Sequence, residues 1–213
     1  MSDKKNVSPV KAILKDAFIL FAITLIAGLA LGFTNEKTKD AIANQGLSAN
    51  LAAYEAVYPD AENYSYESSL TKVVEESIET FKGLRDDYGL IVVNEILEAQ
   101  DASETVLGNV ISIISKDGYG GNITFVIGID LEGTIKGVEI TEHSETNDLG
   151  SKITEDEFKS QYTGKNVDSF VLTKTGASAD NEIDAVSGAT ISSNAANNAI
   201  NAALYIAKNL INQ

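Results

Sequence analysis

Cysteine and tryptophan are absent from the 213 residues, histidine occurs once, at His143, and proline twice, at Pro9 and Pro59. Without cysteine the chain has no disulfide framework, no thiolate zinc site, no cysteine nucleophile and no cysteine-ligated iron–sulfur cluster. A redox role therefore needs a bound organic cofactor. A single imidazole excludes His-rich metal sites and leaves any Ser/His/Asp triad to be built around His143. Basic residues are scarce as well: 16 Lys and Arg stand against 31 Asp and Glu, a formal charge of −15. A surface of that sign repels phosphate backbones, so no nucleic-acid partner is expected. At 44% apolar residues the chain can bury one core, and two large domains are not expected.

The charge is unevenly placed. Lys4, Lys5, Lys11 and Lys15 against Asp3 and Asp16 give residues 1–16 a net +2, and the remaining −17 falls on the rest of the chain. Between the two lies an uncharged run, Ala17 to Asn35, with an apolar heart from Phe18 to Phe33. At about 1.5 Å per residue it reaches roughly 28 Å, close to the ~30 Å hydrocarbon thickness of a bilayer. Lysines before the run and carboxylates after it place residues 1–16 in the cytoplasm and residues 36–213 outside it by the positive-inside rule. A cleaved secretory signal is the competing reading, because Ala30-Leu31-Gly32 offers small residues near the end of the run. The run is, however, longer than the ~7–15 apolar residues of a signal core. A single-pass anchor in the cell membrane is therefore expected, with no ionisable residue in the span. Within it, Gly28 and Gly32 form a GxxxG that would let another helix approach.

Asn35 to Gln45 is polar with alternating charge, and Ala52 to Tyr58 continues a helical pattern that Pro59 stops. The stretch that follows, with Tyr64, Tyr66 and Glu75-Glu76, carries no clear period. From Ile91 the period changes to two, predicting strands near 92–99, 106–115, 122–130 and 134–141, separated by turns at Lys116-Asp117-Gly118 and Leu131-Glu132-Gly133. Consecutive strands with short turns imply an antiparallel meander. A short helix near 155–161, a strand near 167–173 and a final helix from about Ser192 to Asn212 complete an α+β chain. In that last helix Ala196, Ile200, Ala203, Leu204, Ala207 and Ile211 make one apolar face to lie on the sheet. The expected division is a cytoplasmic N-terminus (1–16), a membrane helix (17–35), a helical connecting region (36–90) and one domain (91–213).

The residues that promise chemistry stand where the final helix begins. Asp184-Ala185-Val186-Ser187-Gly188-Ala189-Thr190 is a turn of small residues leading into Ile191, Ser192 and Ser193. A helix N-terminus offers free backbone N–H groups and a partial positive charge, which suits a phosphate. Ser192 or Ser193 as a plain N-cap accounts for the serines equally well.

The same seven residues resemble the flavinylation motif D-x-x-[ST]-G-A-[ST] of the FMN-binding domain family. In that family a dedicated flavin transferase outside the cytoplasm joins FMN to the last residue through a phosphoester, so the resemblance implies covalent FMN on Thr190. Further elements agree in order: Gly118-Tyr119-Gly120-Gly121, Ile129-Asp130, Gly137-Val138, then His143-Ser144-Glu145-Thr146, Leu149-Gly150 and Lys152. The family's usual form of that stretch is H-x-E-T-P-G-L-G, and Asn147-Asp148 stands here in place of Pro-Gly. Phe158 to Lys165 resembles the helix and turn that follow.

Taken together, the pattern is similar over essentially the full chain to the G subunits of Rnf electron-transport complexes. Chain length and the compact spacing between His143 and Thr190 favour them over the homologous C subunits of sodium-translocating NADH:quinone reductases. The resemblance implies an electron-transfer subunit of an ion-translocating ferredoxin:NAD+ oxidoreductase, partnered by the complex's other membrane and redox subunits. A freestanding extracellular flavoprotein reductase is the alternative. The resemblance also implies a cofactor site made of Thr190, Ser187, Gly188, Ala189, Asp184, His143, Glu145, Thr146, Leu149, Gly150 and Lys152, with His143 and Thr146 facing the flavin ring and neither a catalytic residue nor a metal. Simpler roles stand beside these. His143 and Glu145 could be solvated loop side chains, Tyr119 could be packing at a strand start, and Asp184 could brace the turn.

Overall fold

The computed structural model describes residues 9–211, with the side chains of 9–12, 15 and 33–49 outside that description. The chain divides into two compact units, Met1–Asn50 and Leu51–Gln213. The first holds most of helix α1 (Pro9–Val57). Phe18, Ile19, Leu20 and Phe21 are consecutive and all exposed, and Leu29 and Leu31 are exposed as well, so the described stretch from 17 to 32 is apolar on every side rather than along one stripe. Among the described residues no helix is long and apolar enough to cross a membrane. The uncharged run continues to Asn35, beyond the last described side chain of this stretch. Lys4 and Lys5 lie outside the described residues, as do the side chains of Lys11 and Lys15.

In the second unit α1 stops at Val57, two residues before Pro59, where the residue preceding a proline is forced out of helical geometry. Then come β1 (Asn63–Ser65), α2 (Ser68–Gly83), α3 (Arg85–Tyr88), β2 (Ile91–Gln100), β3 (Val106–Ser115), β4 (Ile123–Asp130) and β5 (Ile135–Glu142). A 3-10 turn at Gly150–Thr154, α4 (Asp156–Lys159), β6 (Val171–Thr173), β7 (Glu182–Asp184) and α5 (Thr190–Ile206), closed by a π turn at Ala207–Ile211, follow. Strands β1 to β5 lie side by side in chain order and every neighbour is antiparallel, the meander that the period-two pattern and short turns imply. Strands β6 and β7 pair in parallel as a separate two-stranded ribbon.

The alternation of β4 shows how the sheet is covered on both faces. Ile123, Phe125, Ile127 and Ile129 point into the main core with Ile111 and Ile113 of β3, Leu70 and Phe81 of α2, and Ala196, Ile200 and Leu204 of α5. Each such side chain removed from water contributes about 1.5–3 kcal/mol. Alanines at 195, 196, 199, 202 and 203 are all buried, which lets the α5 backbone lie close to the strands. The opposite face carries Val110, Val126 and Gly128, and there the end of α1 lies down. A Cβ on Gly128 would stand 2.3 Å from the Val57 carbonyl oxygen, so only glycine admits this contact. The Tyr58 hydroxyl then donates to the Leu107 carbonyl at 2.7 Å.

Two elements differ in detail from the sequence pattern. Residues 68–83, which show no clear period, form helix α2, because its polar face hides a sparse apolar one of Leu70, Val73, Val74 and Phe81. The strand expected at 167–173 is shortened to 171–173, and its partner at 182–184 went unrecognised because three-residue strands carry no period. Within the second unit α2 packs on β2, and its Phe81 joins the common core.

Candidate functional site

Three segments converge beside the first turn of α5: the β3–β4 turn at 118–121, the loop after β5 at 143–149, and the turn 185–189. They enclose a cleft of about 380 Å³ lined by Tyr119, Glu145, Thr146, Leu149, Gly150, Gly188, Ala189, Thr190, Ile191 and Ser192.

The turn into α5 is locally specified. Ala189 N–H donates to the Val186 carbonyl at 3.0 Å, and the Ser193 hydroxyl accepts from Val186 N–H and donates to the Ala189 carbonyl, both at 3.0 Å. Gly188 sits at φ +79°, in the left-handed region that favours glycine. Ala189 is the N-cap and supplies no side-chain acceptor, so the serines are not the cap that a simple reading allows. The N–H groups at the start of α5 are left by helix geometry without intrahelical acceptors, and Thr190 is its first residue.

The opposite wall is built around Glu145. This carboxylate, for which the sequence alone left a solvated loop position open, is 5% exposed. One oxygen accepts from the Gly120 N–H at 2.8 Å, and the other from the Ser192 hydroxyl. Gly120 is required because the loop crosses directly over it: a Cβ there would stand 2.0 Å from the Ser144 carbonyl oxygen. Tyr119, between the glycines, is 69% exposed and lines the cleft, so it is not the packing residue its place at a strand start suggests. The loop closes through Asp148, at φ +58°, whose N–H donates to the Ser151 hydroxyl at 3.1 Å. Aspartate tolerates that conformation better than most residues, so Asn147-Asp148 makes the left-handed turn that Pro-Gly would make.

The remaining candidates lie outside the cleft. His143 is exposed and does not line it; its Nδ1 accepts from the Glu145 N–H at 3.2 Å and so orients the loop. Lys152, Asp184 and Ser187 line a neighbouring hollow of about 230 Å³ with Phe158 and Gln161. The Asp184 carboxylate accepts from Ala177 N–H at 2.8 Å and braces the preceding loop. Gln161, in the segment that resembles the family's helix and turn, clamps the Asp184 backbone from both sides, accepting at 2.7 Å and donating at 3.3 Å. Ile191 is 51% exposed on the rim of the cleft, and with Ser192 it was missed as a lining residue because it follows the motif.

Known proteins share this arrangement of sequence. A family model described as FMN-binding domain matches residues 118–205, and one described as RnfG N-terminal region matches residues 1–57. The chain is similar to the G subunit of the Na(+)-translocating ferredoxin:NAD(+) oxidoreductase complex of Acetobacterium woodii, 29% identical over 94% of each chain. It is 31% identical to the G subunit of the ion-translocating oxidoreductase complex of Yersinia pestis, over 86% of this chain and 87% of that one. A crystal structure of NqrC from Shewanella oneidensis aligns over 53% of this chain and 55% of that one, with a TM-score of 0.45 and 23% identity. With a relative at 31% identity matched over nearly its whole length, the chain belongs to the family of G subunits of ion-translocating oxidoreductase complexes.

Proposed function

We propose that this chain is the electron-transfer subunit of an Rnf-type ferredoxin:NAD+ oxidoreductase and carries FMN esterified to Thr190. The observation that carries the reading is the position of Thr190: it is the first residue of α5, it lines the cleft, and its side chain is partly exposed to it. The residues present fit the group. The free N–H groups of the first α5 turn can hold the phosphate oxygens, and the positive end of the helix favours their charge. Esterification by the threonine hydroxyl, with net loss of water, leaves a diester with a single negative charge, which lessens repulsion from Glu145. Leu149, Ile191 and Tyr119 offer apolar and aromatic surface for the planar ring. Gly188 keeps the approach to Thr190 clear of a side chain, since a Cβ there would already stand 3.2 Å from Leu149 Cδ1. When bound, the flavin supplies the reversible electron uptake that none of the chain's own side chains provides.

The exposed apolar side chains of α1 between 18 and 31 support a single-pass anchor over residues 17–35, because such a surface is stable in lipid rather than in water. With residues 1–16 in the cytoplasm, the flavin domain stands on the extracytoplasmic side of the cell membrane, where a flavin transferase can reach Thr190. The anchor holds the flavin within reach of the other redox subunits of the complex. In this division residues 36–90 connect the anchor to the domain at 91–213. Beside the cleft, Lys152, Asp184 and Ser187 serve the outer side of the turn, and His143 acts on the ring wall through the loop that it orients.

The test is Thr190→Ala in the full chain coexpressed with a flavin transferase. Alanine is a good helix former at this position, so the thermal unfolding midpoint stays within a few degrees of wild type. Flavin fluorescence of the denatured chain is lost completely. A variant that keeps fluorescent flavin through denaturation would exclude Thr190 as the attachment residue.

A further inference from the structure

A glutamate is rarely buried without a cationic partner. Glu145 is 5% exposed, and it takes part in none of the ion pairs formed among the described residues. Both of its oxygens accept from neutral donors, the Gly120 N–H and the Ser192 hydroxyl, which is the bonding pattern of an ionised carboxylate. Gly150 leaves room for it, since a Cβ there would stand 2.5 Å from Oε2. The carboxylate is also anchored against the first turn of α5, whose dipole favours a negative charge. Three chain segments therefore hold one fixed anion in the wall of the cleft that Thr190 opens onto.

From this geometry we infer that Glu145 is an electrostatic tuning residue that holds the reduction potential of the flavin down; the inference rests on the reading that FMN is carried on Thr190. Reduction of a flavin ring takes up two electrons with one or two protons, the electrons coming from the preceding redox subunit. When fewer protons than electrons are taken up, the ring gains negative charge. A carboxylate held almost wholly out of water beside the ring opposes that gain, because a buried charge is screened less than an exposed one. A neutral amide of the same shape keeps the acceptor for Gly120 N–H and a partner for Ser192 but removes the charge.

The experiment is a spectroelectrochemical titration of the detergent-extracted full chain after mass spectrometry has established flavin on Thr190. Glu145→Gln is expected to move the midpoint to more positive potential by at least a tenfold change in the oxidised-to-reduced ratio, roughly 30 mV for a two-electron couple. Glu145→Asp and Glu145→Asn repeat the comparison with a shorter side chain: the aspartate variant stays near wild type and the asparagine variant shifts with the glutamine one. A fully loaded Glu145→Gln chain with an unchanged midpoint would overturn the inference, as would equal shifts in the aspartate and asparagine variants. Flavin lost from both amide variants but retained by the aspartate one would assign the charge to cofactor loading and overturn it too. An unmodified wild-type chain would instead remove the underlying reading, a failure visible in the mass before any potential is measured.

Discussion

Asp148 carries the turn that brings Thr146, Leu149 and Gly150 to the cleft, and it does so at φ +58° without being glycine. The left-handed conformation costs an ordinary L-residue about 1–2 kcal/mol, and a β-branched side chain tolerates it least. Asp148→Val is therefore expected to lower the unfolding free energy by about 1–2 kcal/mol in urea titrations, whereas Asp148→Gly leaves it unchanged to within about 1 kcal/mol. Equal losses in the two variants would show that the aspartate side chain, not the backbone angle, holds the turn. At this scale the sequence was a good guide to identity and a poor one to environment. The motif from Asp184 to Thr190 marks the helix start to within two residues, Thr190 against the expected Ser192, because small residues before a helix are a local signal. Burial is not local. Of the two readings open for Glu145 the buried one holds, and Tyr119 stands outside rather than packed, because the crossing of loop 143–149 over Gly120 is set by contacts 25 residues apart.

Among the elements, β2 to β5 were legible to within a residue or two, since alternating Val, Ile and Thr bounded by Gly-containing turns leaves one arrangement. Helix α2 was not, because most of its circumference is polar and its apolar contacts are few. Its weight in the fold lies in Phe81, which is 3% exposed and meets the rings of Tyr88 and Tyr205 edge-on at centroid distances of 5.5 and 6.0 Å. Phe81→Ala is expected to destabilise the chain by about 3–5 kcal/mol, as removal of a buried ring does. Chemical denaturation measures this. A loss below about 1 kcal/mol would mean that α2 is an appendage rather than part of the core. Helix α5 does two jobs at opposite ends: its alanine face fills the core, and its N-terminus supplies the donors at the cleft.

For the whole molecule, the large negative charge coexists with tyrosines placed where ionisation is opposed. Burial, and then Asp130, Asp60 and Glu132, push the Tyr58 phenol up to about 12. Burial and then Glu55 push Tyr64 up to about 12. An unfolded chain ionises its tyrosines near pH ~10. The folded chain holds these protons more tightly, so the associated stability is fully present below pH ~10 and is lost as pH rises through about 12. Thermal unfolding midpoints should therefore fall steeply between pH ~10 and ~12, with a shallower fall in Tyr58→Phe and Tyr64→Phe; equal slopes in wild type and both variants would contradict this. Both phenols belong to the contact between the end of α1 and the sheet, through Tyr58 to Leu107 and Tyr64 to the Tyr58 carbonyl. The same contact fastens the end of α1 to the domain that holds the cleft.

The proposed function rests on FMN joined to Thr190, and peptide mass spectrometry of the native membrane-extracted chain reads that bond itself. The peptide containing Thr190 is expected to carry the added mass of FMN less water, with no such addition on any other peptide. A Thr190 peptide of unmodified mass, or the same addition on another residue, would contradict the assignment.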